Sequence, residues 1–345
     1  MKIKRFFALL LALVMLSVIT LAGCGSQTGN SGGSGDATNK VSLAAARDTQ
    51  LSPVILCAAE KGFFKEYGID AEVTLFASGA DLVTAVASGD VDLGSAGDTP
   101  ATSLLTSDPG KYEFIARTTN LGGALALVVK EGIQNPSDLE GKKIGYSIGN
   151  TSEALWLALV KETGIAAEKV TMISLGTADM LTAFESGQID GFVCWEPTIT
   201  NAVKRGGHRL LTGTKSYFDG VEAEFDCLNS YALLVGKAAW IKENPKTVTA
   251  VLSAMNKSVE WINENLSEAA KIVAKALNLD EADCLRMMER NEYGLGVTDT
   301  VIADLGNSAQ FLYDGGKINV IPDFNEMFNG TFLSQIDESL VSVSK

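Results

Sequence analysis

Histidine is almost missing from this 345-residue chain, which has one, His208. Chemistry that draws on imidazole as metal ligand or general base has little to work with. Cysteine is also scarce. No C-x-x-C pair occurs among the five, so zinc-ribbon and thioredoxin-like sites have no basis. Cys57, Cys194, Cys227 and Cys284 are far apart. In an exported chain Cys194 and Cys227 could pair, but buried free thiols are the favoured expectation. There is no G-x-x-x-x-G-K-[ST], no H-E-x-x-H and no Rossmann glycine pattern, so no cofactor and no metal is expected. Basic charge is in short supply too: 28 Lys and Arg stand against 42 Asp and Glu, net −14. That surface argues against nucleic acid, or an anionic lipid face, as the main partner.

Long apolar runs are absent except at the start. Lys2, Lys4 and Arg5 precede the apolar stretch Phe6 to Leu16, which is too short to span a bilayer. It leads to Leu21-Ala22-Gly23-Cys24, small residues followed by cysteine that look like a bacterial lipobox. The likeness implies a lipoprotein signal peptide over 1–23, cleavage before Cys24, and lipid on its sulfur. Residues 24–40 are mostly Gly, Ser, Asn, Thr and Gln and form no core, so they read as a flexible tether. Such a chain is exported and held on the outer face of the cytoplasmic membrane by acyl chains, without a spanning helix.

What the chain does have is a repeat. Ala80 to Asp92 reads ADLVTAVASGDVD and Ala178 to Asp190 reads ADMLTAFESGQID, seven of thirteen residues identical at an offset of 98. Upstream, VTLF at Val73 matches VTMI at Val170 after a one-residue slip. Two similarly built lobes are expected from this duplication. Around each copy, short apolar runs alternate with helical patterns opened by Ser52-Pro53, Ser78-x-x-Asp81, Asp98-Thr99-Pro100, Asn150-x-x-Glu153 and Pro197. The alternation predicts an α/β fold in which each lobe is a mostly parallel sheet flanked by helices. Leu125–Val129 and Tyr231–Val235 share an unbroken apolar character and are expected to be a pair of crossing strands. The first lobe then comprises 41–130 with 229–345, the second 131–228. From Pro245 onward the pattern is helical, with Val248, Val251, Leu252, Met255, Val259 and Ile262 on one face. One helix is expected to run through Glu60–Tyr67 to a stop at Gly68.

In parallel sheets ligands sit beyond the strands' carboxyl ends, where loops lead into helix N-termini. Those loops here are 46–52, 77–81, 95–100 and 117–123, and in the second lobe 149–153 and 195–197. Helix N-termini offer unpaired N–H groups to an anionic head group. Candidate ligand-binding residues are Arg47, Gln50, Ser78, Asp98, Thr99, Arg117 and Asn120 in the first lobe. The second adds Asn150, Thr151, Ser152, Trp195 and Glu196. Either arginine could neutralise a sulfonate or carboxylate bidentately. Trp195 would supply a planar wall. Gly145-Tyr146-Ser147-Ile148-Gly149 matches G-x-S-x-G, but His208 sits in a helix-to-strand connection at the opposite end of the sheet. An esterase is therefore disfavoured, and the chain is not expected to be an enzyme.

EKGFFKEYGID, SGADLVTAVASGDVDLGSAGDTP, DLEGKKIGYSIGNTSEAL, WEPTITNAVKRGGHRLL and FLYDGGKI resemble the nitrate/sulfonate/taurine-type solute-binding proteins of ABC importers, with thiamine-pyrimidine binders as close relatives. The resemblance covers roughly residues 41–320 in the right order. It implies a type II periplasmic-binding-protein fold with a hinge between lobes. It also implies delivery of a small solute to a permease and its ATPase, and a monomer is expected. By motif position the ligand loops map to Asp98–Pro100, Gly149–Ser152 and Trp195–Pro197. Two carboxylates, Asp98 and Glu196, depart from a sulfonate site built on hydroxyls and backbone N–H groups. They make a zwitterion or a pyrimidine as reasonable as a bare dianion. An enzyme on the same fold, a lyase or a pyrimidine synthase, is the rival class, and the export signal argues against it.

Overall fold

A computed structural model describes residues 39–148 and 151–344. The expected signal peptide, Cys24, nearly all of the tether, and Asn150 lie outside the described residues. Within them, the strands of the two large sheets are β1 (Asn39–Ala46), β2 (Ile69–Phe76), β3 (Leu93–Gly97), β4 (Tyr112–Asn120), β5 (Leu125–Val129), β6 (Lys143–Tyr146), β7 (Thr171–Ser174), β8 (Gly191–Trp195), β9 (His208–Thr212), β10 (Lys215–Ser216), β11 (Ala223–Glu224), β12 (Tyr231–Lys237) and β13 (Glu292–Tyr293). They form one sheet in the order β13-β4-β12-β3-β1-β2 and another in the order β11-β10-β9-β5-β8-β6-β7. The helices used below are α1 (Pro53–Glu60), α2 (Phe63–Glu66), α3 (Gly79–Ser88), α4 (Asp98–Ser107), α5 (Thr151–Thr163), α6 (Thr177–Glu185), α7 (Thr198–Lys204), α8 (Ala238–Glu243), α9 (Pro245–Glu264), α10 (Leu266–Leu277), α11 (Glu281–Met288) and α12 (Asp299–Asp314).

The two copies of the repeat fold alike for local reasons. Gly89 and Gly187 stop α3 and α6 at φ 91° and 79°, a region that costs a side-chain-bearing residue strain. Just before them, Ser88 and Ser186 donate their hydroxyls to the carbonyls of Ala85 and Ala183 at 3.0 and 3.2 Å. Asp92 then accepts from the Ser42 N–H at 2.8 Å and hydroxyl at 2.7 Å, and Asp190 from the Lys143 N–H at 2.8 Å. Each aspartate ties the strand after its turn to the first strand of its own lobe.

Both sheets are mixed. β1, β2 and β3 run parallel, as do β6, β7 and β8. The central antiparallel strand of each sheet comes from the crossing segments, β12 between β3 and β4, and β5 between β8 and β9, with further antiparallel pairing at the edges by β13 and by β10 and β11. Every residue of β5 is buried, as is all of β12 except Lys237, which explains runs without alternation. The crossing strands do not pair with each other, contrary to expectation. Each enters the sheet ahead of it, because its two apolar faces need cover on both sides. The chain therefore passes between sheets at 121–124, before residue 130, and returns at 227–230. The two passages touch: Leu121 N–H donates to the Ser230 carbonyl at 2.7 Å. A Cβ at Gly213 would collide with the Leu228 carbonyl, and one at Gly123 with that of Arg290, so glycine permits this close passage.

The C-terminal helices complete the first lobe. Val248, Val251, Leu252, Met255, Val259 and Ile262 of α9 are all buried in the core of the first sheet, and Ser258 donates to the Val54 carbonyl of α1 at 2.8 Å. The expected helix through Gly68 is broken at Gly62 (φ 76°) into α1 and α2. Cys57, Cys194, Cys227 and Cys284 are all free thiols, so no Cys194–Cys227 bridge exists. Burial pushes the Cys57 and Cys284 thiols up to about 12, which leaves them unreactive at neutral pH.

Candidate functional site

Four helix N-termini meet at one cavity of about 270 Å³ between the sheets. From the first lobe it is walled by Asp48, Gln50, Gly79 at the start of α3, and Asp98 and Thr99 at the start of α4. From the second come Thr151 at the start of α5, and Trp195 and Glu196 ahead of α7. Leu51 of the loop after β1, and Leu121 and Ser230 where the chain crosses, add lining. Each parallel strand ends on this side, so the loops after β1, β2, β3 and β8 face one another. Of the expected ligand residues, Gln50, Asp98, Thr99, Thr151, Trp195 and Glu196 line this cavity.

Trp195 ends β8 and packs against a small cluster of Ala46, Leu51, Leu121 and Ala232 from the first lobe. It is thus a wall of the cavity and an apolar contact between lobes. Glu196 is 6% exposed, and both carboxylate oxygens are engaged. One accepts from the Thr200 N–H at 2.8 Å, satisfying an orphan donor of α7. The other accepts from Arg209 Nη2 at 2.9 Å in a pair whose side chains are 1% and 13% exposed. The charge that departed from a sulfonate site is therefore already balanced. Arg209 had no local signal in the sequence, because its partner is thirteen residues away and meets it only through the β5–β9 register.

Asp98 differs. It is 3% exposed, and one carboxylate oxygen accepts from the Thr99 N–H at 2.7 Å while the other accepts from the Ser308 hydroxyl at 3.1 Å. Burial raises its pKa, with the Thr99 N–H and the hydroxyls of Ser308, Ser230 and Thr99 opposing that rise. Asp48, missed as a site residue, accepts from the N–H groups of Gln50 and Leu51 at 2.9 and 2.7 Å; burial raises its pKa as well. This turn was readable in the sequence as an aspartate bonding to the backbone two residues on.

The remaining candidates lie elsewhere. Arg47 is exposed and does not line the cavity. Ser78 is an exposed cap whose hydroxyl accepts from the Asp81 N–H at 3.1 Å. Arg117 and Asn120 line a separate cavity of about 300 Å³ with Tyr231 and Glu292. Arg117 donates through Nε to the Gly296 carbonyl at 2.6 Å and lies over the Tyr231 ring. Asn120 joins the two passages between lobes, donating to Asn229 Oδ1 at 2.9 Å and accepting from the Gly122 N–H at 3.0 Å. Ser152 is buried and closes a turn through both backbone groups of Ser147. Ser147 itself donates to the Leu175 carbonyl at 3.0 Å, and His208 Nε2 lies 2.9 Å from the Ile133 carbonyl. The two are held by different partners, as the opposite ends of the sheet require. Among the described residues no group of His, Cys, Asp and Glu is arranged to hold a metal.

Comparison with known proteins agrees with this architecture. The chain is 27% identical over 310 residues to the taurine-binding periplasmic protein of Escherichia coli (strain K12), covering 85% of this chain and 93% of that one. It is 24% identical over 247 residues to the formylaminopyrimidine-binding protein of Halalkalibacterium halodurans, 70% of each. The crystal structure of the periplasmic aliphatic sulphonate binding protein from Escherichia coli superimposes with a TM-score of 0.69 at 18% identity, covering 84% of this chain and 91% of that one, a likeness of fold. The sequence pattern described as "NMT1/THI5 like" matches residues 49–269, more than half of the chain, and the chain belongs to the NMT1/THI5-like family.

Proposed function

We propose that this protein is the solute-binding component of an ABC importer of the sulfonate and taurine type, capturing a small solute between its lobes. The observation that carries the proposal is one cavity whose walls come from both sheets, with Gln50, Asp98 and Thr99 on one side and Thr151, Trp195 and Glu196 on the other. A solute touching both walls has a greater affinity for the closed arrangement, and only that difference can shift the population toward it. The passages at 121–124 and 227–230 are the hinge in this reading, with Asn120 holding them together. The closed form would then dock on a permease and its ATPase as a monomer, tethered to the outer face of the membrane by lipid on Cys24.

Trp195→Ala tests the site. It removes the wall and the contact with Leu51 and Leu121, so affinity measured by calorimetry should fall roughly a hundredfold or more. Circular dichroism should remain that of the folded chain. Unchanged affinity would reject this cavity as the binding site. The anchor has its own test: incorporation of labelled fatty acid, lost in Cys24→Ala.

A further inference from the structure

We infer that the solute carries a positively charged nitrogen that seats against Asp98, together with an acceptor atom for Gln50. This rests on the solute-receptor reading of the same cleft and names the ligand class within it.

The argument is a charge comparison at matched positions. In the first sheet Gly97 of β3 pairs with Ala232 of β12; in the second Trp195 of β8 pairs with Leu125 of β5. Asp98 and Glu196 each follow those residues, 98 positions apart, so they are counterparts. The next strand across continues the match. β12 breaks register between Ala232 and Leu233 and again between Leu234 and Val235, so that Val235, three residues after Ala232, faces Phe114. β5 breaks register between Leu127 and Val128, after which Val128 faces Arg209. The second lobe thus puts Arg209 where the first puts Phe114, which is fully buried and stacked on Phe328 at 5.1 Å. Glu196 has its cation inside the protein. Asp98 has a hydrophobic ring at that place, and among the described residues no Lys, Arg or His forms an ion pair with it or with Asp48.

A buried carboxylate without a cation is costly unless something compensates it. A second observation in the same cavity also points to a ligand. Gln50 is 6% exposed and lines the same space, and its Nε2 has no hydrogen-bond acceptor among the described residues. An unanswered donor beside an uncompensated acid describes a ligand with an acceptor and a cation. Aminosulfonates, amino acids and protonated amines with a polar substituent fit; a bare sulfonate, carboxylate or nitrate leaves Asp98 facing like charge.

Calorimetry on the unmodified chain with matched probes tests this: taurine against ethanesulfonate, β-alanine against propionate, and benzylamine against benzyl alcohol. The member with the ammonium should bind roughly thirtyfold tighter or more in every pair that binds, as for a buried charge pair with one partner removed. Asp98→Asn should reduce that ratio to near one, and the wild-type ratio stands as a measurement should the variant fail to fold. Ethanesulfonate binding as well as taurine would overturn the charge assignment and leave the receptor reading in place. No binding by any of the six probes would overturn both.

Discussion

The two lobes share a plan and differ at its ends, and in the proposed receptor it is the ends that carry binding selectivity. Ser88, Gly89 and Asp92 in one, and Ser186, Gly187 and Asp190 in the other, perform the same tasks of ending a helix, turning and tying down the next strand. From the first residue of the strand that runs toward the cleft, LGSAG in one lobe and GFVCW in the other, the chains diverge. One carries Gly97 and Asp98 and leaves its acid to hydroxyls and an N–H; the other carries Trp195 and Glu196 and pairs its acid with Arg209. The duplicated part is scaffold. In the solute-receptor reading proposed above, the ends decide what the lobes hold.

Making the second lobe resemble the first is the severest way to break the comparison. Arg209→Met leaves Glu196 buried without its cation and should cost about 3–5 kcal/mol in urea unfolding, the scale for breaking a buried pair. Adding Glu196→Gln should restore most of that loss. A double variant as unstable as the single would mean that Arg209 matters through packing and not through charge.

The scaffold equivalence predicts smaller effects that differ in a stated direction. Asp190→Ala removes one hydrogen bond to the Lys143 N–H and should cost about 1 kcal/mol, whereas Asp92→Ala removes two to Ser42 and should cost about 2 kcal/mol. Thermal unfolding of both variants checks the order; an Asp190 variant less stable than the Asp92 variant would refute the equivalence as drawn.

The smallest effect sharpens the unlike ends. Burial raises the Asp98 pKa above its unfolded value, so the folded state takes up a proton more readily than the unfolded chain. Its cost to stability is absent below the ordinary carboxyl range and grows as pH rises through the elevated folded value. Solute-free Asp98→Asn should therefore melt a few degrees above wild type at neutral pH, the scale of about 1 kcal/mol. The gap should close as pH falls toward the ordinary carboxyl range. A gap independent of pH would show that Asp98 does not bear the strain.

Much of the fold was legible because its signals are local. The helix stops at Gly89 and Gly187, the cap at Ser78 and the α9 face each depend on residues within a few positions of one another. The cavity residues Asp98, Thr99, Thr151, Trp195 and Glu196 were legible for a related reason: loops after parallel strands fall on one side of a sheet. Arg117 and Asn120 obey the same rule and still lie outside the cavity. The passage between sheets begins right after them and claims Asn120 for Asn229, while the segment around Gly296 claims Arg117.

From the sequence alone came the duplication, the alternation of strand and helix, the acidic balance and the loops in which a ligand would sit. The tertiary structure decided which sheet each crossing strand joins and which charges find partners. The physical reason is that burial and ion pairing depend on strand register across a sheet, and register sets side by side residues that no local pattern connects. Arg209 beside Glu196, and Phe114 across from Val235 where Arg209 lies across from Val128, are the two outcomes of that register. Only there does the difference between two acids at equivalent positions become a statement about charge.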